Sequence, residues 1–419
     1  MPERISSNAR NSIALIIEKI FSSSIALFFS IWIARIVSPA EFGEIQYATS
    51  ICALLSIIGT ACLDPIIIRD IVKNDHDIKV VIANGFIIKI IGAFISTILA
   101  LIIVFSDKKL QYPLLIFIMS LSYIFQTTSI LTDILQAKNN FYTLIKIRLI
   151  ALVISTIIKS YSLFFINDPI KIGFLLITDQ CILAILLLIW SQKEIIALKI
   201  LQHIRKEEVL ITLKKTLPLC LSSATVILFM KLDQLMITYY LDQKSTGIYS
   251  AMLRLIEPWA VFPSIIMGAC YPSIVKMSFK ETIEASKYYF LLSYTFSFVL
   301  AVIISFNAPT IVAFTYGEKY SHGSDILSLL CFILIFSFSG EVRASIMNAR
   351  DLTRYHIHCA IIGLTSLAIL NILLIPKYEL KGAAVALVVS YFISSTISTI
   401  LIPKLRPIAI AQYWPLHKP

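Results

Sequence analysis

Charged residues are scarce in this chain of 419 residues. Asp, Glu, Lys and Arg make up 15% of it and hydrophobic residues 58%, with a mean hydropathy of +0.85. A soluble domain has about 25% charged residues, so the composition excludes a water-soluble globular protein. With only 12 glycines and 15 prolines, the chain also lacks any collagenous or linker-like tract. We therefore predict a chain that lies almost entirely in a membrane.

The motifs of several common chemistries are also missing. The sequence has no G-x-x-x-x-G-K-[ST], no G-x-G-x-x-G and no H-E-x-x-H, which excludes nucleotide hydrolysis and the common zinc hydrolases. Its seven cysteines lie in apolar runs without a C-x-x-C pair, as is typical of small buried side chains. The net charge of +11 is not arranged as a basic surface interleaved with aromatic residues. We predict no cofactor, no metal site and no nucleic-acid partner.

What the chain does contain is a series of long apolar segments. A spanning helix needs about 20 predominantly apolar residues, and hydropathy with turn residues predicts twelve. They are 11–34, 43–63, 80–105, 113–132, 144–166, 170–190, 216–241, 246–275, 287–314, 324–349, 356–376 and 382–402. The fold class is thus an all-α polytopic membrane protein. The longest polar connection predicts an N-terminal six-helix bundle at 1–190, a connecting segment at 191–215 and a C-terminal bundle at 216–419 with a short tail.

Lysine and arginine are distributed unevenly between the two faces of this topology. Twenty lie on the side of the N-terminus and eight on the opposite side. The positive-inside rule therefore predicts that both termini and the 191–215 connection are cytoplasmic.

A row of small and polar residues recurs after 204 positions. The row Gly43, Gln46, Ser50, Ala53, Ile57, Thr60 corresponds to Gly247, Ser250, Arg254, Glu257, Val261, Ser264. The spacing of three and four places each row on one helical face, which indicates a duplicated six-helix unit. Such a row can permit close helix packing or line a cavity, and the sequence leaves both open.

The predicted spans contain more cations than acids. The cations are Lys19, Lys89, Lys146, Arg148, Lys159, Lys231, Arg254 and Arg343, and the acids are Glu18, Asp179, Asp233, Glu257 and Glu341. A charge at the bilayer centre costs about 2.5–3.5 kcal/mol, so each needs a partner, a path to the interface or a function. Lys146 and Arg148 are close enough to a helix end to reach the interface, and Arg254 can pair with Glu257.

Four cations, Lys19, Lys89, Lys159 and Lys231, have no direct partner on their own helix. A positive water-filled cavity would suit a diphosphate head group, although acids elsewhere could neutralise the surplus. Asp179, alone in the middle of helix 6, is a candidate for coupling to H⁺ or Na⁺, with a structural role as the alternative. Glu18 and Asp233 are further candidates for coupling.

Several short motifs resemble one family of transporters. Residues 33–44 (IARIVSPAEFGE) resemble the first outer loop and 246–255 (TGIYSAMLRL) the helix 8 opening of polysaccharide flippases in the multidrug/oligosaccharidyl-lipid/polysaccharide exporter superfamily. Further matches are Phe262-Pro263, Tyr271-Pro272, Tyr316 to Tyr320, Ile326-Leu327 and Lys381 to Ala384. The set is most similar to O-antigen flippases of the Wzx type.

The resemblance implies a V-shaped pair of six-helix bundles around a central cavity. The implied function is translocation of a polyprenyl-diphosphate-linked oligosaccharide from the cytoplasmic to the periplasmic leaflet of the bacterial inner membrane by alternating access. In related lipid II flippases, cations on helices 1 and 8 meet the diphosphate, and Lys19 and Arg254 occupy those helices here. The implied partners are the lipid-linked oligosaccharide, membrane lipid, and the O-antigen polymerase and chain-length regulator. No catalytic residues are expected.

Two alternatives remain open. One is an integral membrane enzyme of the same pathway, a polymerase or a glycosyltransferase; Asp75 and Asp77 form a D-x-D, but in a polar loop without a soluble domain. The other is a drug or ion exporter of the same superfamily. A cation exporter would need acids to dominate its cavity, whereas the predicted spans contain more cations.

Overall fold

The structure is a computed structural model that describes residues 2–73, 77–106, 110–198 and 204–413, with side chains of 2–16 and 192–198 outside the description. Within these ranges the chain is helical and has no strand, which confirms the predicted fold class. The helices are α1 Pro2–Ile36, α2 Pro39–Thr60, α3 Asp64–Lys73, α4 Ile78–Ser106, α5 Leu114–Ser120, α6 Ser122–Gln126, α7 Ser129–Ala137, α8 Phe141–Leu163, α9 Pro169–Leu198, α10 Lys206–Tyr240, α11 Gln243–Ile256, α12 Val261–Lys276, α13 Phe279–Phe306, α14 Ala308–Thr315, α15 Ser324–Leu330, α16 Ile333–Ala349, α17 Tyr355–Phe392, α18 Ser398–Leu401 and α19 Arg406–Tyr413.

Polar side chains cap the N-termini of several of these helices. The Asn140 side chain accepts a hydrogen bond from the backbone at α8, and Asp242 does the same at α11. Ser278 and Glu281 form a reciprocal capping box at α13. Each cap satisfies backbone N–H groups that have no partner within the helix.

Twelve spans can be traced in the described residues. Ten helices are long and apolar enough to cross a membrane, and Glu318–Leu330 with Ile333–Ala349, bent by 43°, meets the same criterion as a pair. The segment Tyr355–Leu401 supplies two, because Glu379 has a positive φ of 50° inside α17. A Cβ on Gly382 would lie 2.3 Å from the carbonyl oxygen of Leu374, whereas eight residues of straight helix rise about 12 Å. The chain therefore reverses at Glu379, in agreement with the predicted count.

The chain divides into two compact units. The first comprises Met1–Ile25 and Tyr47–Ala224, and the second comprises Ala26–Gln46 and Thr225–Pro419. The predicted segments 1–190 and 216–419 cover most of these units, but the second unit also contains the α1–α2 corner. The predicted connection at 191–215 is largely helical, since α9 ends at Leu198 and α10 begins at Lys206. Hydropathy detects where a helix leaves the hydrocarbon rather than where it ends.

Gly43 and Gly247, the first residues of the two repeated rows, form a close helix contact within the second unit. A Cβ on Gly43 would lie 1.8 Å from the carbonyl oxygen of Gln243, and a Cβ on Gly247 would lie 1.9 Å from that of Pro39. Only glycine permits this approach of α2 to α11. The packing interpretation is therefore correct at these two positions.

Each unit has its own buried apolar cluster. In the first unit, Leu63, Ile67, Ile82 and Leu135 are among its fully buried members. The second unit has a separate cluster that joins α12, α13, α16 and the C-terminal α19. Large apolar side chains also remain on the outside, as expected where lipid replaces water as the solvent.

Candidate functional site

The first unit contains a cavity of about 800 Å³, within the range of small-molecule sites. Helices α1, α3, α7, α8 and α9 contribute most of its wall. Its lining residues are mostly polar: Glu18, Ser22, Thr60, Asp64, Pro65, Ile68, Gln126, Ser129, Thr132, Asp133, Gln136, Arg148, Ala151, Leu152, Ser155, Asp179, Gln180 and Leu183. No aromatic side chain is among these described lining residues.

Lys89 supports one wall of the cavity from behind. Its side chain is 1% exposed, and its Nζ lies 2.6 Å from Asp64 Oδ1 and 3.2 Å from Asp133 Oδ2. Nζ also donates to Ser129 Oγ at 2.7 Å. All three N–H donors of the ammonium group therefore have acceptors, and two of these acceptors are carboxylates. Because Lys89 has no acid on its own helix, we expected it to be a free cation of the cavity. The structure shows instead that it is paired with two aspartates.

The backbone explains how Asp64 reaches this position. Ala61 and Cys62 both have positive φ, 49° and 48°, which non-glycine residues seldom adopt. This double bend separates α2 from α3 and places Asp64 in the first turn of α3, where a negative charge is favourable at a helix N-terminus.

Lys159 and Asp179 form a second ion pair at the cavity, between a largely buried lysine and a half-exposed aspartate. Lys159 Nζ on α8 lies 2.5 Å from Asp179 Oδ2 on α9, although the residues are 20 positions apart. Asp179 was predicted to be isolated, and the structure instead gives it a cationic partner. Its side chain remains 47% exposed and lines the cavity together with Glu18.

The charges at this cavity nearly balance. Four carboxylates line it, those of Glu18, Asp64, Asp133 and Asp179, together with Arg148, while Lys89 and Lys159 contact three of the carboxylates. The predicted surplus of positive charge is therefore not found here. Arg148, for which we predicted a path to the interface, forms part of the cavity wall.

Sequence reasoning did not single out Asp64 and Asp133. Asp133 lies one residue beyond the predicted fourth span, and Asp64 lies after the end of the second, so neither was counted as an intramembrane acid. A signal was present: Gln126, Ser129, Asp133 and Gln136 recur every three or four residues in an otherwise apolar stretch. That spacing places polar groups on one helical face.

The second unit contains a separate cluster of charges around Arg254. Its Nη1 lies 2.9 Å from Glu257 Oε2, which confirms the predicted pair, and its Nη2 is 3.4 Å from Gln46 Oε1. Lys231 lies close enough to Glu257, Arg254 and Asp233 for their charges to act on it. Asp233 is fully buried and accepts a hydrogen bond from Tyr249 Oη at 2.7 Å.

Lys19 lies in the first unit, and its side chain is exposed. Among the described residues it makes no ion pair. Arg254 belongs to the other unit, so the structure assigns the two predicted diphosphate ligands to different units.

Arg343 is the buried cation of α16, and its partners are neutral. Its Nη1 donates to the carbonyl oxygen of Ser394 at 2.6 Å and to the hydroxyls of Ser398 and Thr399. Ile393–Ile397 is a turn of π-helix, in which the backbone hydrogen bonds skip one residue further than in an α-helix.

The D-x-D motif cannot be evaluated as a pair, because Asp75 lies outside the described residues. Asp77 lies just before α4, and its Oδ1 accepts a hydrogen bond at 3.0 Å from the backbone N–H of Lys79 in the first turn of that helix. Among the described residues there is no group of three His, Cys, Asp or Glu side chains that could hold a metal ion.

Comparison with known proteins gives a consistent family relationship. The profile of the family described as polysaccharide biosynthesis protein matches residues 8–278. The capsular polysaccharide biosynthesis protein CapF of Staphylococcus aureus is 23% identical over 388 residues, which cover 91% of this chain and 95% of CapF.

Solved structures of similar fold belong to transporters. The lipid II flippase MurJ in an inward closed conformation has a TM-score of 0.73 at 18% identity, with 96% of this chain and 90% of MurJ covered. An inward-facing multidrug resistance MATE family transporter of the MOP superfamily has a TM-score of 0.69 at 14% identity, with 96% and 99% covered. At these identities the likeness establishes the fold, which is that of the superfamily predicted from the sequence motifs.

Proposed function

We propose that this chain, which belongs to the polysaccharide biosynthesis protein family, is a flippase for a polyprenyl-diphosphate-linked oligosaccharide. It moves an O-antigen repeat unit from the cytoplasmic to the periplasmic leaflet of the inner membrane by alternating access. The observation that carries this proposal is the polar cavity of about 800 Å³ within a multi-pass helical protein. A lipid-linked glycan needs such a polar compartment, because its sugars cannot cross hydrocarbon without leaving their hydroxyl groups unsatisfied.

The substrate class is supported by the relatives, and its finer identity is part of the proposal. CapF is described as a capsular polysaccharide biosynthesis protein and MurJ as a lipid II flippase. The CapF likeness makes a capsular repeat unit the second candidate substrate. A drug exporter is less well supported, because the described cavity wall has no aromatic side chain of the kind that usually lines a drug-sized site.

Arg254 and Lys231 of the second unit, with Lys19 of the first, are the proposed contacts of the diphosphate. The Arg254 side chain is 29% exposed, and its Nη1 contacts Glu257 while its Nη2 contacts Gln46 at 3.4 Å. Its remaining N–H groups can bind phosphate oxygens. Lys89 and Lys159 are weaker candidates, because each would have to release an aspartate before it could bind a phosphate.

Transport assays normalised to protein level test the role of Arg254. Arg254→Lys keeps the charge but loses the planar fork, so it should retain partial O-antigen assembly, and Arg254→Ala should lose more. A matched control is Arg69→Ala, since Arg69 belongs to the first unit and its Nη2 pairs with Asp70 Oδ1 at 2.7 Å. Full O-antigen output from Lys19→Ala combined with Arg254→Ala, at normal protein level, would refute the diphosphate role of both. If the pair with Glu257 is only structural, protein level should fall instead of transport per molecule.

Asp179, Glu18 and Asp233 are the proposed groups for coupling to H⁺ or Na⁺. Binding of a cation at Asp179 would weaken its attraction to Lys159 and so link ion entry to a change at the cavity. Asp179→Asn should abolish ion-driven transport in proteoliposomes and leave membrane insertion intact. Asp325→Asn is the matched control, because Asp325 also pairs with a lysine, Lys381 at 2.9 Å, but is well exposed. Unchanged transport in Asp179→Asn would assign Asp179 a structural role.

The proposed direction of transport requires a defined topology. Reporter fusions should place both termini and the 191–215 segment in the cytoplasm, and a periplasmic signal from that segment would contradict the proposed orientation.

A further inference from the structure

Three side chains in the cavity wall of the first unit have hydrogen-bonding groups without protein partners. Gln136, Gln180 and Arg148 line the cavity, and their side chains make no hydrogen bond or ion pair with any described residue. All three are half-buried. Together they offer donors from two amides and a guanidinium group, and acceptors from the two amide oxygens.

Two carboxylates complete this set with fixed acceptors. Asp64 and Asp179 each use one oxygen on a buried lysine. Their side chains are still 49% and 47% exposed, and both line the cavity. The ion pairs with lysine hold the two carboxylates in place. Their remaining oxygen lone pairs are therefore fixed acceptors for a ligand in the cavity. Pre-organised acceptors of this kind cost less ordering entropy when a ligand binds.

The chemistry of the wall favours a ligand rich in hydroxyl groups. A hydroxyl both donates and accepts, so it can satisfy a carboxylate and an amide at the same time. An anionic group is disfavoured, because four carboxylates face three cations and two of those cations are already committed to aspartates. A diphosphate or a uronic acid would therefore meet like charge.

We propose that this cavity binds uncharged sugar residues of the lipid-linked glycan and selects against acidic sugars. The inference rests on the proposed flippase function and assigns the glycan, rather than the diphosphate, to this cavity.

The test uses the glycan without its lipid and without its diphosphate. The probe is the oligosaccharide released by mild acid from the polyprenyl diphosphate of the cells that make this protein. Its binding to the purified full-length chain in nanodiscs is followed by saturation-transfer NMR and titration calorimetry. Wild-type protein should bind the probe, and the double variant Gln136→Leu with Gln180→Leu should bind it at least about tenfold more weakly, since two hydrogen-bonding groups are lost.

A matched variant and a matched probe separate the sugar contacts from other effects. Gln243→Leu makes the same substitution at a half-buried glutamine of the second unit and should leave binding unchanged. The second probe is the same oligosaccharide with its primary hydroxyls oxidised to carboxylates, which should bind at least about tenfold more weakly to the wild-type protein because of like-charge repulsion.

The proposal is overturned if the released oligosaccharide does not bind wild-type protein, or if it binds the double variant as well as the wild type. Equal binding of the oxidised probe would overturn the selection against acidic sugars. The flippase function is tested separately by transport of the intact lipid-linked oligosaccharide in proteoliposomes. Transport without binding of the free glycan would refute only the cavity assignment, whereas absence of transport would refute the proposed function itself.

Discussion

Replacing Lys89 with methionine is expected to destabilise the first unit strongly. The substitution retains most of the side-chain volume but removes the only described cation that contacts Asp133, whose side chain is 2% exposed. Loss of one partner from a buried ion pair costs about 3–5 kcal/mol, because the remaining charge is left without compensation. Asp64 adds little to this value, since it is half exposed and water can solvate it. The expected loss is therefore set by Asp133.

Thermal unfolding of the purified protein in detergent measures this loss. At roughly 2–4 °C per kcal/mol for a unit of about 200 residues, the melting temperature should fall by about 6–20 °C. The fluorescence of Trp190 can report the transition in the first unit, because Trp190 packs against the apolar cluster of that unit.

Two further variants make the reasoning refutable. Adding Asp133→Asn to Lys89→Met removes the uncompensated charge and should recover most of the lost stability, with a coupling energy of about 2 kcal/mol or more. Lys381→Met, which breaks an exposed pair with Asp325, should cost less than about 1 kcal/mol. A melting temperature of Lys89→Met equal to that of the wild type, or no recovery in the double variant, would show that the Lys89 charge is not needed to compensate Asp133.

Two other substitutions test the packing of the second unit by the same thermal assay. Gly43→Ala should destabilise it by about 1–3 kcal/mol, because the new Cβ would lie 1.8 Å from a backbone oxygen. The control is Gly268→Ala, whose Cβ meets no atom within 4 Å and which should be neutral or slightly stabilising. Equal effects of the two substitutions would contradict the close contact at Gly43. Arg350→Met should cost at least about 1.5 kcal/mol, because Arg350 Nη2 donates to the carbonyl oxygens of Ile274 and Met277 at the end of α12. The control is Arg354→Met, because Arg354 is exposed and its loss should change stability by less than about 0.5 kcal/mol. Similar losses for both arginines would contradict a stabilising role of the Arg350 hydrogen bonds at the end of α12.

Apolar composition and local spacing were sufficient to predict the fold class and the twelve spans. These features depend on neighbours along the chain, because a span must satisfy its own backbone in lipid by forming a helix. The Arg254–Glu257 pair was predictable for the same reason, since residues three apart share a helical face. The repeated rows of small and polar residues likewise indicated a special role for Gly43 and Gly247. Spacing alone did not distinguish close helix packing from a cavity wall.

The partners of Lys89 and Lys159 were decided only by the tertiary structure. Their aspartates are 25, 44 and 20 positions away, so no rule based on helical spacing could find them. The same holds for the balance of charge at the cavity, which depends on how α3, α4, α7, α8 and α9 pack. A count of charges along the spans gives the total that the membrane must accommodate. The positions of the opposing charges in space determine whether a buried lysine is compensated or available to a ligand, because Coulomb energy depends on distance and not on order in the chain.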